Sequence, residues 1–563
     1  MTIVKPSHFV VVPLGMWGHL RPLLHLSLNL LHLHSNLHLT ILIPPSIKPR
    51  VDSELKSNSF AHIYTKSPSN SGTSSPDKNH HLHHYHKTDK EEQEKENKAI
   101  VDRLQIITCI SEEFELPKEW SPETMAKESM DYAKTVPLFL KSLLSEQHNL
   151  DHTINKFQDI PPNFMIFDTF QAFIPDVMKS VMLEIQKPMV PLIAFVPSNA
   201  SATWHHFAKE ENGGFLYRMI RLVEEDIAKG RDPLEAYAEH SFATYGQVRA
   251  VPGLPTKYDY EWWPNMATVP MPPQAFIPIL PSTKAVNDEI VTGLICPTAA
   301  EIEPVAVEAL EKELGKRIYM VGPQFPDSTW AGQNPERKAQ NEDDGRVYEF
   351  LDKMKGKYGS KSVIYVSLGS LFFPAARPEL IRFILQTLKE CSFPFVFAYA
   401  SALASIPEDL LEELNVQEDA CVVKFAPQWD VLNHEAIGYF LSHCGSNSTA
   451  EAVIAELPIM AMPFTADQGE FTALLSEIYK VAIDLKQIKT FSKPEFNKLY
   501  DGTIVEGTEA AIKKELKDTF EKIRGEEGKN MRQRMKDLKA QVRKSWENGR
   551  SKQDMLALGR CFE

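Results

Sequence analysis

The sequence predicts an α/β protein with two doubly wound parallel-sheet domains, and three observations lead there. Short apolar runs at Val363 to Val366, Phe395 to Tyr399 and Val422 to Phe425 alternate with helical patterns such as Glu379 to Lys389. Continuous apolar runs joined by helices read as parallel strands buried on both faces. At 563 residues the chain is longer than one core covers efficiently, so two domains of ordinary size are expected. A polar stretch, 324–346, reads as a linker between an N-terminal domain, 1–323, and a C-terminal domain, 347–530, leaving 531–563 as a tail.

In chain order, the first strand, His8 to Val12, runs into Pro13-Leu-Gly-Met-Trp-Gly-His19-Leu-Arg-Pro22. The helix that follows places leucines 20, 23, 24, 28 and 31 on one face. His19 therefore sits at the carboxyl end of a strand, where open α/β sheets put their ligand crevice, although a lone histidine there can also be structural. Residues 66–98 break the pattern with Ser, Asn, Pro and Gly, then HHLHHYH, then KTDKEEQEKENK, which predicts a disordered surface insertion. Its His80, His81, His83, His84 and His86 lack cysteine or carboxylate at ordered spacing, so a solvated loop is preferred to a metal site. A second strand-like run, Asn163-Phe-Met-Ile-Phe-Asp168, ends in one carboxylate that can serve a site or cap the next helix. In the tail, Met531, Met535, Leu538, Val542 and Trp546 fall at spacings of three and four, so one helix face is apolar.

The densest chemistry lies from Phe425 to Gln468, FAPQWDVLNHEAIGYFLSHCGSNSTAEAVIAELPIMAMPFTADQ. Two buried-strand runs, Gly438 to Leu441 and Leu457 to Pro463, bracket a helix starting at about Ser448. The intervening turn, His443-Cys444-Gly445-Ser446-Asn447-Ser448, is built of small residues that let backbone approach an anion. The helix N-terminus adds unpaired N–H groups and partial positive charge, an arrangement that suits a nucleotide diphosphate-sugar. Ser448 and Glu451 also fit a capping box with no ligand role. His434, just before a strand, reads as a hydrogen-bonded structural histidine.

From end to end this stretch resembles the donor-binding box of the family 1 UDP-glycosyltransferases of plant and fungal type. The resemblance extends to Gly-His19-x-x-Pro after the first strand, to Asp168, and to Val251-Pro-Gly-Leu-Pro255, Glu303-Pro304, Val321-Gly-Pro323 and the strand ending in Gly369-Ser370, all in the family's order. It implies the GT-B fold, two facing Rossmann-like domains with the active site in the cleft between them. It also implies that His19 is the catalytic base and Asp168 its partner, a pairing whose chemistry is sound. Imidazole has the intrinsic pKa to take a hydroxyl proton near neutrality, and a carboxylate behind it fixes the tautomer.

Carried over by position, Phe425 would stack on uracil, the Ala426 backbone would pair with the base edge, and Gln428 would lie near the ribose held by Glu451. His443, Gly445, Asn447 and Ser448, with Gly369 and Ser370, would contact the diphosphate, and Asp467 and Gln468 would bind the sugar. Phe425 and Ser446 stand where the family usually has Trp, and Phe471 where it usually has Asn. A smaller ring weakens base stacking, and Ser446 removes a wall of the sugar pocket. Met16, Trp17, Asn199 and Trp204 are expected to touch the acceptor. Phe207, Trp262, Trp263, Phe276 and the proline-rich stretch 269–281 suggest an apolar acceptor pocket, although core packing explains aromatics equally well. The tail helix is expected to cross back and pack on the N-terminal domain.

The resulting expectation is inverting transfer of a hexose, glucose by first choice, from a UDP-sugar to a hydroxyl of an apolar small molecule. Alternatives are a non-catalytic UDP-sugar-binding regulator and a UDP-sugar epimerase. No metal or resident cofactor is expected, since the UDP-sugar is a co-substrate. A formal charge of −14, from 61 basic and 75 acidic residues, argues against a general nucleic-acid binder. The absence of a useful Gly-x-Gly-x-x-Gly argues against a dinucleotide oxidoreductase. Cysteines 109, 296, 391, 421, 444 and 561 are scattered and read as reduced thiols. With no apolar run near ~18 residues and no cleavable leader in the first twenty, a cytoplasmic monomer is expected.

Overall fold

The structure, a computed structural model, describes residues 5–56, 98–117, 122–145, 156–270, 277, 279, 281–325, 327–330, 339, 341–401 and 403–560. Its first sheet holds seven strands: β1 (Ser7–Val12), β2 (Leu37–Ile43), β3 (Leu104–Thr108), β4 (Phe164–Asp168), β5 (Leu192–Phe195), β8 (Val291–Cys296) and β9 (Arg317–Met320). The short antiparallel pair β6 (Val248–Arg249) and β7 (Lys257–Tyr258) lies outside it. The second sheet holds β10 (Val363–Ser367), β11 (Phe395–Ala398), β12 (Ala420–Val423), β13 (Ile437–Ser442), β14 (Ile459–Ala461) and β15 (Ala482–Asp484). The strand orders are β3-β2-β1-β4-β5-β8-β9 and β12-β11-β10-β13-β14-β15. All pairings within the two sheets are parallel.

Both sheets are buried on both faces, which is why their strands read as unbroken apolar runs. Val10 and Val12 join one core cluster while Phe9 and Val11 join the cluster on the opposite face. Val363 and Tyr365 likewise separate from Ile364 and Val366. Strand order reverses between β1 and β4 in one sheet and between β10 and β13 in the other. These two switch points are where a doubly wound sheet opens a crevice at its carboxyl ends.

The helices that matter to the site are α1 (Trp17–Leu33), α2 (Lys48–Lys56), α3 (Ala200–Phe207), α4 (Glu379–Glu390), α5 (Ser446–Ile454) and α6 (Gln468–Ala473), with α7 (Glu526–Asn548) and α8 (Arg550–Arg560) closing the chain. The five leucines of α1 singled out by spacing are all buried. On α4 the apolar face is Leu380, Ile381, Ile384, Leu385 and Leu388.

The tail departs from expectation in one respect. Met535, Leu538 and Val542 pack into the core of the second sheet, and only Trp546 reaches both domains' clusters. The return to the first sheet is made by α8, whose Met555 and Leu558 join the β1 core. Buried Asp554 on α8 accepts from Arg317 (2.7 Å) and from the Met320 backbone (2.9 Å). The chain divides at Gly549, where a Cβ would meet the Ser545 backbone at 2.7 Å, so a single tail helix is replaced by two.

The linker is also shorter than polarity suggests. Phe325 and Trp330 are already buried in the second core, and a helix begins at Glu342, while 331–338 and 340 lie outside the described residues. The expected insertion 66–98, with its histidines, lies outside them too, save Lys98, which opens a helical turn. Of the cysteines, Cys109, Cys296, Cys391, Cys421 and Cys444 are free thiols, and Cys561 is not among the described residues. No described helix is long and apolar enough to cross a membrane.

Candidate active site

The switch point of the first sheet brings two residues together that lie 149 positions apart in the chain. Asp168, the last residue of β4, is fully buried, and its Oδ2 lies 2.8 Å from Nδ1 of His19. Its Oδ1 accepts from the Phe170 backbone N–H at 2.9 Å, which locks the carboxylate in place. The next helix starts only at Ile174, so Asp168 tightens a turn and is not a helix cap. With Nδ1 committed to the carboxylate, Nε2 of His19 is the nitrogen left to act as a base. The ring is 17% exposed and lies 5.1 Å from the ring of Phe170.

The switch point of the second sheet is made of glycines and one histidine. Gly369, just beyond β10, has φ +81°, and a Cβ there would lie 2.8 Å from Cε1 of His443. A Cβ on Gly445 would lie 2.6 Å from His443 Nε2. The imidazole is thus sandwiched where only glycine fits. Burial pushes its pKa down to about 4, so at neutral pH it offers a neutral ring and no positive charge. Its Nδ1 is buried with no hydrogen-bond partner. Positive potential toward an anion comes instead from the N-terminus of α5, which begins at Ser446 with Gly445 as N-cap, two residues earlier than the sequence suggested.

Glu451 is not part of a capping box. Its Oε2 accepts from Gln428 and its Oε1 from Arg21 of α1, each at 2.6 Å. Gln428 also reaches Ser448 Oγ at 3.3 Å. Phe425, on the loop after β12, is 51% exposed, while its neighbour Ala426 is buried. Ser370 is exposed at the mouth of the turn.

Asp467 and Gln468 open α6. Burial and the nearby Glu470 carboxyl push Asp467 up to about 7, while His19 acts in the opposite direction, as does a hydrogen bond with Ser198. His19 and Asp467, from the two different domains, thus lie within electrostatic reach of each other. The domains meet there directly: Asn447 Nδ2 donates to the Gly18 carbonyl at 2.9 Å, and Asn265 Nδ2 donates to the Pro463 carbonyl at 2.9 Å. The first contact has a local cause. Pro22 lacks the N–H that would pair with Gly18 within α1.

Comparison with known proteins agrees with this geometry. Residues 342–496, which hold the β10/β13 switch point, match the sequence model of the family described as UDP-glucoronosyl and UDP-glucosyl transferase. Through that stretch the chain is similar to the family 1 UDP-glycosyltransferases. Among curated relatives, UDP-glycosyltransferase eriJ of Hericium erinaceus is 26% identical over 371 residues, covering 64% of this chain and 70% of its own. Flavonoid 3-O-glucosyltransferase of Medicago truncatula is 30% identical over 46% of this chain, and the alignment spans about half of that protein (49%). A solved structure, Medicago truncatula UGT71G1 complexed with UDP-glucose, superposes over 99% of this chain and 98% of its own with TM-score 0.60 at 21% identity. The fold is GT-B.

Several residues expected in the site have other surroundings. Asn199, expected at the acceptor, is fully buried: it caps α3 through Ala202 N and donates to Glu303 Oε1 at 2.9 Å. Trp204 is 7% exposed and packs in the first-domain core against Gly213. Phe207, Trp262 and Trp263 are core residues as well, and Phe276 lies outside the described residues. Trp17 is partly exposed and stacks under the Arg50 guanidinium at 4.5 Å. Met16 is partly exposed, and its carbonyl accepts from the His19 N–H. Gln468 is 2% exposed, and its Oε1 accepts from Phe464 N at 2.7 Å, so only its amide N–H groups remain for a ligand. Asn447 donates one of its two amide N–H groups to the Gly18 carbonyl. His434 is structural, as its sequence context suggested: it meets Asp352 and accepts from Ala436 N.

Sequence reasoning missed Arg21, Ser198 and Phe170. Arg21 alone carried a signal: a cation in the first turns of a helix opposes the dipole and calls for a carboxylate partner. Among the described residues no three His, Cys, Asp or Glu side chains form a metal-binding group.

Proposed function

We propose that the protein transfers a hexose, glucose by first choice, from UDP-sugar to a hydroxyl of an apolar small molecule, with inversion at the anomeric carbon. The observation that carries this is the His19–Asp168 dyad at one switch point facing a glycine-lined, helix-capped anion site at the other. His19 Nε2 takes the proton from the acceptor oxygen as that oxygen attacks the anomeric carbon, and the bond to the UDP oxygen breaks on the opposite face. Asp168 stabilises the imidazolium formed. Negative charge on the departing diphosphate is met by backbone N–H groups at the start of α5 and by the uncharged His443 ring. Phe425 supplies the stacking surface for uracil, Glu451 receives the ribose hydroxyls, and Asp467 the sugar.

Glucose is favoured because the Medicago relative is named as a glucosyltransferase; Gln468, with its carbonyl committed to Phe464 N, offers only its amide N–H groups to the sugar. On the acceptor side, Phe170 against the His19 ring and partly exposed Met16 favour an apolar body next to the reacting hydroxyl.

Incubating the protein with UDP-glucose and a panel of hydroxylated phenolics, terpenoids and sterols tests the reading. A β-glycoside identified by NMR is expected. Tight UDP binding with no transfer to any acceptor, or an α-glycoside, contradicts it.

A further inference from the structure

We propose that Arg21 is a positioning residue for the donor: from the first domain it holds the Glu451 carboxylate of the second in the orientation that receives the ribose, and so joins donor capture to the helix that carries His19. The inference rests on the proposed ribose role of Glu451.

Arg21 bridges two carboxylates of different domains. Its Nη1 lies 2.6 Å from Glu451 Oε1, and its Nε lies 3.3 Å from Glu54 Oε1 on α2. Glu54 is held in turn by His25 Nε2 at 2.7 Å. The planar guanidinium is therefore oriented from behind before it meets the second domain. Helix stability does not explain it, since a cation at this end of α1 works against the dipole.

The carboxylate of Glu451 is 4% exposed, and burying it unpaired would be costly. Each carboxylate oxygen offers two acceptor directions. Arg21 takes one on Oε1 and Gln428 one on Oε2, leaving one on each oxygen, which matches the two hydroxyls of a ribose. The arginine thus completes the ribose site and does not occlude it. Ser446 lines the same recess as Arg21, and its small side chain leaves the guanidinium room to cross. The Asn447–Gly18 bond runs beside it, so α1 and α5 are fastened at two points, both within three residues of His19 in sequence.

Calorimetric titration of the full chain with UDP and with 2′,3′-dideoxy-UDP tests this on wild type, R21M, R21K and E451Q, with folding checked by circular dichroism. R21M is expected to weaken UDP about 10-fold while leaving dideoxy-UDP unchanged, the loss of one charge-assisted contact acting through the ribose. R21K should lose less, and should carry the comparison if R21M does not fold. In turnover, R21M should raise the donor KM with kcat nearly unchanged. Equal losses for the two nucleotides, or none for either, overturn the role of Arg21. If E451Q binds UDP as wild type does, the ribose assignment itself fails. If E451Q weakens UDP selectively and R21M does not, only the Arg21 inference falls.

Discussion

The two switch points solve different problems with different materials. At β1/β4 the chain builds a finished hydrogen-bonded device: a buried carboxylate fixed by a backbone N–H and paired at 2.8 Å with a partly exposed imidazole. At β10/β13 it builds an unfinished one: glycines pressed against a neutral histidine, free backbone N–H groups and a half-exposed phenylalanine. The first is what proton transfer requires, since geometry and tautomer must be set before the substrate arrives. The second is what nucleotide capture requires, since its surface is completed by the ligand.

Changes at the first device should therefore strike turnover and spare binding. Asp168→Asn, which leaves the wrong hydrogen-bonding face toward Nδ1, is expected to lower kcat by ~10²–10⁴-fold with UDP affinity intact; an equal loss in UDP affinity would erase the division of labour. Changes at the second should do the reverse. Phe425→Ala is expected to weaken UDP binding by ~1–3 kcal/mol, roughly 5- to 150-fold in Kd by titration, with kcat at saturating donor little changed. Phe425→Trp should tighten it.

Gly369→Ala tests how tightly the cradle is drawn. The new Cβ would press on His443 at 2.8 Å from a backbone at φ +81°, so a lower Tm and a loss of ~1–3 kcal/mol are expected. An unchanged Tm would mean the histidine has room to move.

The smallest effect concerns pH where the two regions meet. Asp467 is raised from 3.8 to about 7, so the folded chain binds its proton more tightly than the unfolded chain does. Its contribution to stability therefore falls as pH rises through that window. Ionised Asp467 is the better acceptor for a sugar hydroxyl, so affinity for UDP-glucose relative to UDP should rise a few-fold through about pH 7. Asp467→Asn should flatten that ratio; a ratio already flat in wild type removes Asp467 from the sugar site.

What the sequence made legible was local. The β1 run, the leucine face of α1 and the stretch 425–468 carry their meaning within a few turns of chain, and each stands where spacing put it. Side-chain roles that depend on distant partners were not legible. Trp204 and Asn199 look the same in sequence whether they face a cleft or a core, and the structure buries both. The break at Gly549 hides among charged residues that suit either one helix or two. Arg21 meets its partner across 430 residues, a distance at which no periodicity speaks.

The central claim is that the imidazole works on a nucleotide sugar held by the opposite domain. Single-turnover transfer from UDP-glucose by His19→Ala, alongside its Kd for UDP, tests this most directly. Loss of transfer by ~10²–10⁴-fold with Kd unchanged is the predicted result. Transfer at the wild-type rate would contradict it.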